Sequence, residues 1–326
     1  MKKMKLITNS NTHVGLVRKA NEDNFGNLLV PDKPNLWIVC DGMGGHVGGA
    51  VASKMAVDSI LEYWKSADLA DIQSSMVQAI QFANSQIVGH VVENPNLKGM
   101  GTTVVMMAER NGEFTVAHVG DSRAYIFDQR ELCRLTKDHS YVQQLVDQGI
   151  IKDEDAEKHP QKNRILRALG ISKEVDVEIS QPICPSRDAI FMLCSDGMCG
   201  MMNDFEMLHV FLQKMKGDLN DLVSDLISGA LSNGGLDNVT VTSVKVEDSP
   251  FQKSTFQNFN PKSDELDLGK TSFSGLEIAY TDLPKPTLKK QRFSKKQILL
   301  IAVAAVTLIS IAFGGLVYFE VFDLKK

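Results

Sequence analysis

The chain has 326 residues, 43% hydrophobic and 23% charged, with a formal net charge of −5. That is an ordinary globular composition, long enough for one large core plus appendages, and it gives no sign of a basic nucleic-acid-binding surface. Five cysteines, Cys40, Cys133, Cys184, Cys194 and Cys199, have no zinc-finger or thioredoxin spacing and read as reduced thiols of a cytosolic domain.

The first fourteen residues are basic but lack an apolar segment, so they are not expected to form a secretory signal. Residues 13–17 read as a short strand, followed by Arg18-Lys19-Ala20-Asn21-Glu22-Asp23-Asn24 and a second apolar run over 25–30. Residues 36–40 read as a buried strand that stops at Asp41. Five glycines between Gly42 and Gly49 then let the backbone turn tightly and approach something closely. Apolar periodicity predicts helices over 49–64 and 72–92. Residues 101–108 read as a strand, Asn111-Gly112 as a hairpin turn, and 114–119 as the partner strand ending in Gly120-Asp121-Ser122-Arg123; residues 124–127 continue it. A short helix is expected over 138–149, then a charged loop over 150–163 and the run 164–170. A buried strand over 189–194 ends at Asp196-Gly197, helices follow over 205–211 and 219–231, and after the turn at 234–238 a last strand covers 239–246. Long helices do not alternate with strands, which favours an α+β fold of antiparallel sheets covered by helices.

Composition changes after residue 246. Residues 247–297 are rich in Ser, Asn, Asp, Lys and Pro and read as a flexible tether whose far end, with Lys289, Lys290, Arg292, Lys295 and Lys296, is basic. Residues 298–319 carry no charge; at about 1.5 Å per residue that helix is about 33 Å long, enough to cross a hydrocarbon core of about 30 Å. The basic flank places the preceding domain in the cytoplasm, so a single-pass inner-membrane protein with a short outer tail over 320–326 is expected. Gly314-Gly315 is not a GxxxG motif, so the span gives no sign of dimerising, and the catalytic domain is expected to be monomeric.

Asp41, Asp121, Asp196 and Asp237 each sit at the edge of an apolar strand beside glycine or asparagine. Taken singly, such an aspartate only starts a turn or caps a helix. Four strand ends on one rim can converge, and their carboxylates would repel one another unless cations lay among them. Oxygen ligands favour magnesium or manganese over zinc. Arg18 near that rim could bind a phosphate bidentately, although alone it reads as a surface arginine.

The ordered set of motifs resembles the PP2C-type (PPM family) metal-dependent protein serine/threonine phosphatases of bacterial type. It comprises Arg18-Lys19-Ala20-Asn21-Glu22-Asp23, Asp41-Gly42-Met43-Gly44-Gly45-His46, Met100-Gly101-Thr102-Thr103, Val119-Gly120-Asp121-Ser122-Arg123, Leu135-Thr136, Asp138-His139-Ser140, Ile165-Leu166-Arg167-Ala168-Leu169-Gly170, Ser195-Asp196-Gly197 and Asp237-Asn238-Val239-Thr240. The resemblance covers about residues 10–246. It implies an α/β/β/α sandwich of two antiparallel sheets flanked by helices, with two Mn2+ or Mg2+ ions in a cleft between the sheets. Asp41 would bridge both ions, the Gly42 carbonyl would bind one, and Asp196 and Asp237 the other. Glu22 and Asp23 would hold metal-bound waters, Asp121 with Asp196 would match a third-metal site, and Arg18 would bind the substrate phosphate. Residues 140–163 would form a flap. The implied reaction is in-line attack of a metal-bridging hydroxide on phosphoserine or phosphothreonine. The implied partners are phosphorylated proteins. The membrane tether would raise the domain's effective concentration near membrane-associated Ser/Thr kinases and their substrates, which are the expected targets, and the lack of a basic surface argues against nucleic acid. Animal members carry a histidine two residues after the bridging aspartate; Met43 stands there, and the role does not transfer to His46. Two other readings stay open from the residues alone. One is a non-catalytic phosphoprotein-binding module, against which the complete set of aspartates argues. The other is a different two-metal hydrolase, against which the motif order argues.

Overall fold

The computed structural model describes residues 4–44, 48–156 and 158–256. Two antiparallel sheets stack face to face. The first is ordered β1-β11-β10-β7-β8, built from Leu6–His13 (β1), Val239–Val246 (β11), Ile190–Cys194 (β10), Arg123–Asp128 (β7) and Glu131–Arg134 (β8). The second is ordered β2-β3-β5-β6-β9, from Asp23–Leu28 (β2), Asn35–Met43 (β3), Val104–Arg110 (β5), Glu113–Val119 (β6) and Glu178–Ile179 (β9), with Gly101–Thr102 (β4) pairing onto β3. Helices Gly48–Ser66 (α1) and Ile72–Glu93 (α2) cover the second sheet. Helices Asp196–Cys199 (α5), Asp204–Lys214 (α6) and Leu219–Ser232 (α7) cover the first. Two short helices, Tyr141–Asp147 (α3) and Asp153–Ala156 (α4), lie in the segment between β8 and β9.

Strand alternation explains the four layers. Along β3, Leu36, Ile38 and Cys40 point into the core beneath α1 and α2, while Trp37 and Val39 point into the core between the sheets. There Phe114 stacks on Phe191 at 4.5 Å and on Trp37 at 6.3 Å. Along β10, Ile190, Met192 and Cys194 face the α6–α7 side, and Phe191 and Leu193 the middle. Capping fixes where the helices begin: Asp71 accepts from Gln73 at the start of α2, and Asn203 with Glu206 forms a capping box on α6. The layered antiparallel sandwich expected from the sequence is the fold observed.

Several local expectations differ. The strand expected over 13–17 lies earlier, at Leu6–His13. Its polar residues hid it, yet they pair inside the sheet: Thr12 with Thr240 at 2.7 Å and Ser10 with Thr242 at 2.9 Å. The strand through 36–40 does not stop at Asp41 but continues to Met43, because β4 extends the pairing to Gly42 and Met43. Strand β8 falls where the sequence predicts no element, helix α4 lies within the charged loop expected over 150–163, and α3 is shorter than the helix expected over 138–149.

The chain also does not leave the domain at 246. Residues 247–256 form a strap across the rim where β7 and β11 end. Ser254 N–H donates to Asp128 Oδ2 at 3.1 Å, Ser186 N–H donates to Ser254 Oγ at 2.7 Å, and Thr255 N–H donates to the Cys184 carbonyl at 3.1 Å. Ser254 is buried. The remainder of the expected tether and the expected membrane span at 298–319 lie outside the described residues. Among the described residues no helix is long and apolar enough to cross a membrane.

Candidate metal centre

Antiparallel pairing brings the acidic residues to one rim. Asp23 opens β2 directly opposite Asp41 on β3. Asp121 follows β6, Asp196 follows β10, and Asp237 precedes β11. The carboxyls of Asp41 and Asp196, which stand at the ends of strands in different sheets, lie close enough to interact directly. Arg18 Nη2 donates to Asp237 Oδ2 at 2.6 Å and also feels Glu22 and Asp196, so its guanidinium is held above its ordinary value, first by the Asp237 bond. Arg18, Glu22, Asp23, Asp41, Asp121, Asp196 and Asp237 therefore stand around one site, and Gly42 lies in β3 beside Asp41. Gly42 and Gly49 are needed for closeness: a Cβ on Gly42 would lie 2.2 Å from the Gly49 carbonyl oxygen, and one on Gly49 would lie 2.5 Å from Glu22 Oε2. Met43 follows in the strand, partly exposed. His46 lies outside the described residues.

Electrostatically the cluster is unresolved within the protein. Burial, and then the neighbouring acids, push Asp41 and Asp121 well above the usual carboxylate range. Burial pushes Asp23 up to about 7 against the hydrogen bonds that Thr240 and Ser195 donate. Asp196 is raised by burial too. Asp23 Oδ2 accepts Ser195 Oγ and Thr240 Oγ1, both at 2.7 Å, but the buried oxygens Asp23 Oδ1 and Asp121 Oδ1 have no hydrogen-bond partner. Hard oxygen donors, like charges in contact and orphaned carboxylate oxygens fit a divalent cation of the magnesium or manganese type.

A polar frame holds these acids, and most of it carried no role in the sequence reading. Thr103 Oγ1 accepts the Asp41 N–H at 3.0 Å, Thr102 Oγ1 donates to the Asp41 carbonyl at 2.8 Å, and Thr103 Oγ1 bonds Ser122 Oγ at 2.7 Å beside Asp121. Buried Asn238 spans three segments: Nδ2 donates to the Val14 and Ala20 carbonyls, both at 2.9 Å, and Oδ1 accepts Glu22 N–H at 2.8 Å. It thus fixes the loop that carries Arg18 and Glu22. The signal that could have found these residues is their place inside the motifs: Ser122 and Asn238 directly follow Asp121 and Asp237, and Thr102 and Thr103 stand in the Gly101-Thr102-Thr103 run. A cavity of about 140 Å³ opens beside Asp121 and Asp196 and is bordered by Ser140, Asp153 and Lys162, so the 140–163 segment lies at the site as expected of a flap. Cys40 and Cys194 are fully buried in the two helix-covered cores, and burial pushes the Cys40 thiol far up. Neither can serve as a thiolate nucleophile.

Comparison with known proteins places this geometry. The protein phosphatase 2C family model matches residues 17–224. The serine/threonine phosphatase stp of Listeria welshimeri is 39% identical over 238 residues, covering 72% of this chain and 93% of the relative. Among solved structures, the Streptococcus agalactiae serine/threonine phosphatase superposes with a TM-score of 0.70 at 34% identity, covering 74% of this chain and all of the other. The catalytic domain of the phosphatase PstP, solved in complex with two manganese ions, does so with a TM-score of 0.64 at 32% identity, covering 74% and 99%. With the acidic rim, the sandwich and the ordered motifs all in agreement, the chain belongs to the protein phosphatase 2C family.

Proposed function

We propose that this chain removes phosphate from phosphoserine and phosphothreonine in proteins, using two Mn2+ or Mg2+ ions held by Asp41, the Gly42 carbonyl, Asp196 and Asp237. A third ion would sit at Asp121 with Asp196. The observation that carries this reading is the close approach of the half-buried Asp41 and Asp196 carboxyls beside the buried, orphaned oxygens of Asp23 and Asp121. When bound, the cations supply an acidified water as nucleophile and neutralise charge on the phosphoryl group. The chain's own residues do the rest. Glu22 and Asp23 flank the cluster and orient water by accepting its hydrogens. Arg18, half exposed at the mouth, spends one nitrogen on Asp237; a guanidinium has five N–H donors, so its remaining edge can bind two phosphoryl oxygens. Thr102, Thr103 and Asn238 keep the acids and Arg18 at fixed positions through the reaction.

Residues 298–319 as a membrane span would hold the domain on the cytoplasmic face and raise its effective concentration near membrane-bound Ser/Thr kinases and their substrates, whose phosphorylation it would oppose. The test of the chemistry is Mn2+-dependent hydrolysis of p-nitrophenyl phosphate and phosphothreonine peptides by the purified protein. Absence of turnover in folded protein with Mn2+ bound would overturn it. The test of location is membrane fractionation of the full chain against one lacking residues 297–326. The full chain is expected in the membrane pellet and the truncated one in the supernatant; identical fractionation of the two would end the anchoring proposal.

A further inference from the structure

The Asp138-His139-Ser140 run has no part in the chemistry above, yet its three side chains hold three different neighbours. Asp138 grips Arg123, accepting from Nε at 2.9 Å and Nη2 at 2.7 Å. Ser140 Oγ accepts the Gln143 N–H and caps α3, the first helix of the flap segment. His139 holds both sides of Gly120: its own N–H donates to the Gly120 carbonyl at 2.9 Å, and its Nδ1 accepts the Gly120 N–H at 3.1 Å. Gly120 has φ of +109°, and a Cβ there would lie 2.6 Å from Thr103 Cγ2, so the turn admits only glycine and has little stiffness of its own. The next residue is Asp121, with its orphaned buried oxygen.

The His139 ring is itself fixed. Since Nδ1 accepts, the proton of the neutral ring sits on Nε2, which donates to Glu178 Oε2 at 3.1 Å. His118 stacks on the ring at 4.6 Å and donates from Nε2 to the Lys137 carbonyl at 2.8 Å. His118, His139 and Glu178 bring three potential ligand atoms within 4.8 Å of one another. A protonated Nε2 and the Arg167 guanidinium 3.3 Å from it oppose a cation there, so the trio orients rather than ligates.

We propose that His139, oriented by Glu178, is a positioning residue that holds the Gly120–Asp121 turn where a divalent cation requires it and ties that turn to the flap segment. This rests on the metal-dependent reading above. His139 touches no substrate and acts through the Gly120 backbone. Asparagine at 139 keeps an acceptor near the Nδ1 position and gives up Glu178; glutamine reaches toward Glu178 and gives up the Gly120 N–H.

The test uses the full chain in detergent, with Mn2+ binding followed by the electron paramagnetic resonance of the free ion and, separately, the Mn2+ dependence of p-nitrophenyl phosphate hydrolysis. His139→Gln is expected to raise the half-saturating Mn2+ concentration about tenfold in both readouts and to lose the weakest-bound ion, with kcat at saturating Mn2+ within about threefold of wild type. His139→Asn is expected to stay within about threefold of wild type in both. Should His139→Gln fail to fold, Glu178→Ala carries the test, with an expected shift of about threefold. Mn2+ titrations unchanged in His139→Gln or Glu178→Ala, or an equal loss in the Asn and Gln variants, overturn the inference. A wild-type chain that neither binds Mn2+ nor turns over overturns the phosphatase reading instead.

Discussion

The sandwich carries buried or half-buried aspartates at both rims, and the two rims treat them in opposite ways. At the far rim, β7 ends in Asp128, whose Oδ1 accepts the Ser186 hydroxyl and whose Oδ2 accepts the Ser254 N–H of the strap. Each oxygen has a donor, and the residue works as a fastener. At the near rim, Asp23, Asp41, Asp121 and Asp196 are pushed up by burial and by one another, and two of their oxygens have no donor. Asp138 shows that the near rim could have been neutralised from within. Burial alone would raise it, but Arg123 and Arg134 hold it below the ordinary range. A buried carboxylate with its donors complete stabilises the fold; a group of them left facing one another is a place kept for an ion.

The largest expected break in this contrast comes from Asp196→Asn. Turnover of p-nitrophenyl phosphate should fall by roughly 10³-fold, while the melting temperature of the metal-free protein should rise, because one repelling charge has gone. A variant that lost both activity and metal-free stability would make Asp196 a fastener like Asp128. Arg18→Ala should come next. A hydrogen bond to a charged group is worth roughly 1.5–3 kcal/mol, which corresponds to a loss of about 10- to 100-fold in kcat/KM. Arg18→Lys should recover part of it as a point charge without the fork. At the far rim the signs reverse. Asp128→Ala strands the Ser186 hydroxyl and the Ser254 N–H, at a cost of roughly 2–4 kcal/mol in urea unfolding, with kcat unchanged.

The same contrast marks what could be read from the sequence. The acids at 41, 121, 196 and 237 were legible because each ends or begins an apolar strand, and a sheet sandwich sends such ends to common rims; Asp23 came only with the motif resemblance. The layered fold was legible from the apolar runs at 36–40 and 189–194, from two long periodic helices, and from an element order in which long helices do not alternate with strands. What was hidden is polar and non-local. Leu6–His13 lacks an apolar period because its threonines and serines pair across the strand. The strap at 247–256 has the composition of a linker, and only three-dimensional proximity gives Ser254 its partner in Asp128, 126 positions away. Asn238, Thr102 and Thr103 stood inside motifs, but nothing in spacing says that an amide will join Val14, Ala20 and Glu22.

The smallest effect is also the most specific, since the near-rim acids should make stability fall as pH rises. Asp23 lies at about 7 in the folded protein against an ordinary value of 3.8, so the folded state binds its proton more tightly than the unfolded state does. Its contribution is fully present below the unfolded value and is lost as pH rises through about 7. His118 pulls the other way at lower pH, because its folded value of about 4 lies below the ordinary 6.5 and the unfolded chain takes up that proton first. Above about pH 6.5 His118 is neutral in both states, which leaves the acids alone. The metal-free melting temperature should therefore decline between about pH 6.5 and pH 8, and the decline should be shallower in Asp23→Asn. Saturating Mn2+ should cancel it, since a cation stabilises the ionised carboxylates and competes with the proton. Asp138, held low by Arg123, gives stability that is lost only as pH falls below the ordinary carboxylate range, so it stays silent in this window. A metal-free melting temperature flat across the window in wild type and Asp23→Asn alike would mean that the near-rim acids are already neutralised by the protein, and the distinction between the rims would disappear.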